Sequence, residues 1–99
     1  MDTIGDILRA ERENRNLLLR QVSALLELDQ AILSKIERNE RKATKEQLNL
    51  FAKVYELDIE NLLILWLGEK IYKNIENEEF PLKALKVAEQ KVKYNKTKQ

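Results

Sequence analysis

The chain has 99 residues, of which 18 are basic and 17 acidic, with no His, no Cys and a net charge of +1. That length and a 43% hydrophobic content suit one small domain with a core of its own. The missing Cys excludes a disulfide framework, a thiolate metal site and a Cys nucleophile; the missing His removes the commonest general base and zinc ligand; 2 Gly and 1 Pro leave little for hairpin turns or a Gly-rich phosphate loop.

Apolar residues recur at spacings of three and four nearly throughout, which predicts helices. The first covers about residues 2–15, with Ile4, Ile7 and Leu8 on one face. A second, short helix covers Leu19–Leu26. A third follows Asp29, a good N-cap residue, and ends near Arg38. A fourth follows Thr44, where Thr44-Lys45-Glu46-Gln47 has capping-box spacing, and ends near Glu56. A fifth follows Asp58 and reaches about Asn77, roughly 30 Å at 1.5 Å per residue. A sixth starts at Pro81 and runs towards Tyr94, with the terminal Lys-Thr-Lys-Gln expected to fray. The expected class is all-α. The N-terminal stretch is charged and the longest apolar run, Leu62–Leu67, has six residues, far below the roughly 20 of a membrane span. Neither a signal peptide nor a membrane partner is expected, and the expected location is the cytoplasm.

Only Glu27-Leu28-Asp29 separates the second and third helices, which forces a sharp turn, the geometry of a helix-turn-helix. Helix one carries Ile4-Gly5, Arg9 and Arg12, and helix three carries Leu33-Ser34-Lys35-Ile36-Glu37-Arg38. In these residues, over about residues 4–67, the chain resembles the Cro/phage-repressor (XRE) class of helix-turn-helix regulators. Leu48–Leu57 and Asp58-Ile59-Glu60-Asn61-Leu62 complete its five-helix pattern. The resemblance implies a repressor-like DNA-binding domain over residues 1–67, followed over residues 68–99 by the end of helix five and a Lys-rich C-terminal helix. There are departures. Glu27 stands where the family has Gly in the turn, and Asn39, which can take the left-handed conformation instead, where it has Gly after the Glu-Arg pair. Leu18 and Leu19 replace a polar cap and a Gln that braces the recognition helix and reaches a phosphate. Ala43 stands where Pro often follows helix three.

A helix in the major groove presents residues near its N-terminus to base edges. On helix three, Leu33 and Ile36 face inward with Leu28, while Gln30, Ala31, Ser34 and Lys35 face outward. Gln pairs bidentately with adenine, Lys donates to guanine, and Ala31 or Ile32 can meet a thymine methyl. The base-reading candidates are thus Gln30, Ala31, Ile32, Ser34 and Lys35, with Gln30 and Lys35 foremost; the plain alternative is a solvated polar face. Residues 35–45 hold five basic residues against two acidic ones. Arg20, Arg38, Arg41, Lys42 and Lys45 are the phosphate candidates, at positions where the family makes comparable contacts; otherwise they serve solubility. The resemblance implies a partly buried ion pair between Arg12 and Glu37 that sets the tilt of helix three.

The helix around Leu62–Leu67 is apolar on all sides and needs cover from the sixth helix or from a second copy. The expectation is a homodimer through Leu63, Trp66, Leu67 and Ile71, which would set two recognition helices one DNA turn apart on a palindromic operator. The leading functional reading is a dimeric, sequence-specific regulator whose partner is double-stranded DNA. The apolar residues Leu18, Leu19, Leu25 and Ile32 keep a second reading open, a protein-interaction module, antitoxin or restriction-modification control protein of the same fold. An enzyme is not expected: Glu76, Glu78 and Glu79 lie at a polar helix end without a pocket partner. Neither a metal, nor a cofactor, nor a small-molecule substrate is expected.

Overall fold

Local capping chemistry decides where the helices begin. The computed structural model describes residues 2–98, with side chains as far as residue 96. Six helices follow in chain order: α1 (Ile4–Asn14), α2 (Leu19–Leu26), α3 (Gln30–Glu37), α4 (Lys45–Tyr55), α5 (Ile59–Ile75) and α6 (Pro81–Lys98). No strand occurs among the described residues. The all-α class with an added C-terminal helix holds.

At α1, Thr3 Oγ1 accepts from the Asp6 N–H at 3.1 Å and the Asp6 carboxylate accepts from the Thr3 N–H at 3.2 Å. This reciprocal box starts α1 at Ile4, two residues later than the apolar spacing predicted. The hydrogen bonds from Thr3 favour the ionised carboxylate and hold Asp6 below the usual range. The box expected at α4 forms as well: the Gln47 N–H donates to Thr44 Oγ1 at 3.1 Å, and the Thr44 N–H to Gln47 Oε1 at 2.9 Å. Glu27 and Glu56 close α2 and α4 in the left-handed region, with φ of 52° and 54°. The helix α6 continues to Lys98, past the end expected for it; Gln99, in the stretch expected to fray, lies outside the described residues.

The chain divides into two compact units, one ending at Glu69 and the other starting at Lys70. In the first, α1 to α4 surround a core of Leu8, Val22, Leu33, Ile36, Leu48, Phe51 and Tyr55, all fully buried. Each such side chain contributes about 1.5–3 kcal/mol by leaving water. The first half of α5 adds Leu62 and Trp66. The indole N–H of Trp66 donates to the Ala43 carbonyl at 2.7 Å, and the Lys42 ammonium lies 4.7 Å from the ring centroid. At the other end of the core the Arg15 guanidinium covers the Tyr55 ring at 5.1 Å and donates to the Tyr55 carbonyl at 2.6 Å. In the second unit, Phe80 (φ 64°) turns the chain into α6 and Lys83 sits over its ring at 5.5 Å. Glu76 pairs with Lys73 at 3.4 Å, and no group of three or more carboxylates suited to a metal occurs among the described residues.

The Tyr55 hydroxyl is buried without a hydrogen-bond partner among the described residues. Burial first, and the Glu37 charge second, push its pKa up to about 12. A raised pKa leaves stability intact below the unfolded value near 10 and removes it as pH rises towards 12. Tyr55→Phe is therefore expected to be as stable as the parent at pH 7, or up to about 1 kcal/mol more stable. Its advantage should widen between pH 10 and 12, measured by urea unfolding of both proteins at each pH.

Candidate nucleic-acid interface

Three residues join α2 to α3, and their conformations fix the angle between the helices. Glu27 takes the left-handed conformation without glycine, and the Leu28 N–H then donates to the Ser23 carbonyl at 3.0 Å. The Ser23 hydroxyl donates to the Leu28 carbonyl, closing the turn from the other side. Asp29 caps α3, its carboxylate accepting from the Ala31 N–H at 2.7 Å. Leu18 has no acceptor to cap α2, but Gln21 reaches back so that its Oε1 accepts the Leu18 N–H at 2.7 Å. That is half of a capping box, and the spacing of Gln21 three residues after the cap position was its signal.

The inner side of α3 is locked. Leu33 and Ile36 lie in the core, and Glu37 is 4% exposed. Arg12 Nε and Nη2 donate to the two Glu37 oxygens at 2.8 and 3.0 Å, and Nη1 donates to the Leu17 carbonyl at 3.0 Å. One guanidinium thus ties α1 to α3 and to the chain entering α2. Its hydrogen bonds to Glu37 raise the already high Arg12 pKa, so the guanidinium stays charged. By contrast, Arg9 is exposed and pairs with Glu13, one turn along α1.

Asn39 supplies a second clamp that the spacing of residues did not reveal. Its φ is 62°, the left-handed conformation that the sequence allowed for it. There its side-chain oxygen accepts from the Gly5 N–H at 3.1 Å. A Cβ on Gly5 would sit 2.5 Å from the Ile36 carbonyl oxygen and 2.5 Å from Asn39 Oδ1. Gly5→Ala is therefore expected to push α1 away from the end of α3 and to cost about 1–3 kcal/mol, read as a lower midpoint in thermal unfolding. Glu69 provides a further tie, accepting from the Ile4 N–H at 2.8 Å and so holding α5 to the start of α1.

The outer side of α3 is open. Gln30, Ala31 and Lys35 are exposed and Ser34 is half-buried beside them. Ile32 is half-buried, with part of its side chain packed on the core, so less of it is open than of Ala31. The expected phosphate-binding cations, Arg20, Arg38, Arg41, Lys42 and Lys45, are all exposed. Arg38 carries an exposed pair to Glu40 at 3.0 Å. Lys42 is tied back by donation to the Trp66 carbonyl at 3.2 Å and by the indole face, which turns it towards its own domain. Trp66 itself, expected at a dimer contact, is 8% exposed and bonded to Ala43, so it belongs to the core. Leu63 is half-buried, whereas Leu67 is exposed and Ile64, which the sequence reading passed over, is 64% exposed. Ile71, in the second unit, is also exposed.

Comparison with known proteins bears on this site. A helix-turn-helix family model matches residues 8–62, which take in the whole of α2, α3 and α4. No curated protein matches. The chain is similar to a hypothetical protein from E. coli of known crystal structure, at 28% identity and a TM-score of 0.70, over 85% of this chain and 86% of that one.

Proposed function

This chain belongs to the helix-turn-helix family of the Cro/phage-repressor (XRE) class, DNA-binding regulators, and from that premise we propose that it reads a specific duplex sequence as a symmetric dimer. One observation carries the reading: α3 has a clamped inner side and an open outer side bearing Gln30, Ala31 and Lys35. Gln30 and Lys35 donate to base edges, and Ala31 offers a methyl to thymine. Ser34 stands at the edge of that surface. Arg20, Arg38, Arg41 and Lys45 take the flanking phosphates, with Lys42 contributing its charge from its place on Trp66. No helix of the described residues is long and apolar enough to cross a membrane. Occupying a promoter blocks or recruits polymerase, and the operator is palindromic because the dimer is two-fold symmetric.

The pairing surface is the exposed side of α5 at Ile64 and Leu67, with Leu63 at its edge. Sedimentation at micromolar concentration is expected to give a species of twice 11.7 kDa, and Leu67→Glu a monomer. A monomeric parent removes the dimer while leaving the DNA-reading surface in place. A second reading has its own observation: Leu18 and Leu25 are 49% and 60% exposed beside the helix-turn-helix. These leucines favour a protein partner, as in an antitoxin or control protein of the same fold. Failure of the chain to bind any duplex at low salt would favour that reading.

A further inference from the structure

We propose that the lysine face of α6 is a second contact surface for duplex DNA, one that grips the phosphate backbone without reading sequence. The inference rests on the DNA-binding reading above. Residues 83–98 hold six lysines and one acidic residue, Glu89. At helical spacing, Lys83, Lys86, Lys93 and Lys96 fall on one side with Gln90 among them. All five are exposed. The row spans about 20 Å, and a duplex carries a negative charge every ~1.7 Å of its axis, so about a dozen phosphates lie within its length. Glu89 touches Lys93 at 3.2 Å in a pair exposed at both ends, the kind that contributes little in water and yields to a phosphate.

Charge complementarity gives this face its role. Residues 1–60, which contain the helix-turn-helix, hold ten basic and twelve acidic residues. The reading domain therefore brings a slight net repulsion to DNA, apart from its local patch. The lysines of α6 reverse that balance, and their flexible ammonium groups act as point charges rather than forks that recognise a base. A helix joined to the reading domain acts at high local concentration and needs no fixed geometry. A bilayer surface suits α6 less well. Its lysine-free arc holds Ala84, Leu85, Ala88 and Val92, whereas interfacial membrane helices set larger apolar groups such as Trp, Phe and Leu into the acyl boundary.

The test uses the full chain and a fluorescent duplex of mixed sequence, titrated from about 25 to 200 mM salt. Replacing Lys83, Lys86, Lys93 and Lys96 with Gln, which keeps good helix propensity, is expected to weaken binding about 10- to 100-fold at low salt. The log–log salt slope should become shallower by roughly 2–4. The milder pair Lys86→Gln and Lys96→Gln should give about half that change, and so decides the matter should the fourfold variant fold poorly by circular dichroism. A control pair, Lys53→Gln with Lys73→Gln, should leave the slope unaltered. Parent binding with an unchanged slope in the α6 variants overturns the proposal and leaves the DNA-reading function standing. An equal effect from the control pair overturns it too, since total charge would then be responsible. Loss of binding to phosphatidylserine vesicles, with the DNA slope intact, overturns it in favour of a membrane. A parent that binds no duplex even at the lowest salt overturns the underlying reading itself.

Discussion

Replacing Glu37 with alanine is expected to cost about 3–5 kcal/mol. Arg12 would keep its charge and its bond to the Leu17 carbonyl but lose both hydrogen bonds to the Glu37 carboxylate. Its side chain is only 13% exposed, so water cannot take their place without opening the contact between α1 and α3. For a domain of this size each kcal/mol moves the thermal midpoint by about 4–8 °C, so a drop of at least about 12 °C should appear in a circular dichroism melt. The double variant Arg12→Met with Glu37→Leu removes both charges at similar volume and should recover most of the loss. It should also separate stability from aim. If the ion pair sets the tilt of α3, the double variant will fold yet discriminate less well between its preferred duplex and others. Equal melting of the parent and Glu37→Ala would show that the pair contributes nothing.

The second large effect is expected at the outer side of α3. A preferred duplex is first selected from a random pool, and binding is then compared with a scrambled duplex at one salt concentration. Gln30→Ala and Lys35→Ala should each cost about 1–3 kcal/mol of discrimination, roughly 5- to 150-fold in the ratio of affinities. Gln30 is uncharged, so its removal should leave the salt slope as it was. Both residues are exposed and neither supports the core, so unfolding stability should stay within about 1 kcal/mol of the parent's. Unchanged discrimination in both variants would move the reading surface elsewhere and give weight to the exposed Leu18 and Leu25 as a protein contact.

Much of this molecule was legible before any coordinates. The limits of α2 and α3, the capping box of α4 and the left-handed Asn39 follow from residue types a few positions apart, because capping and apolar spacing act within one turn. The open face of α3 was legible for the same reason: Leu33 and Ile36 define the inner side, and the helix period then fixes what lies opposite. Arg12 with Glu37 was reached only through the family resemblance, since twenty-five residues of separation carry no local signal.

Tertiary structure decided the rest. Trp66 went to the interior, Ile32 leaned partly on the core, Lys42 folded back on the indole, and Gly5 met Asn39 at a distance that leaves no space for a Cβ. An apolar or amphipathic side chain of α3, the loop after it, or α5 can face its own core or a partner without any change in helical pattern. Which of these it does depends on the neighbours that distant segments bring to it. Helix period and capping are properties of adjacent residues, and the sequence by itself determined them. The covering of each face is a property of the packed chain, so only the folded structure could assign it.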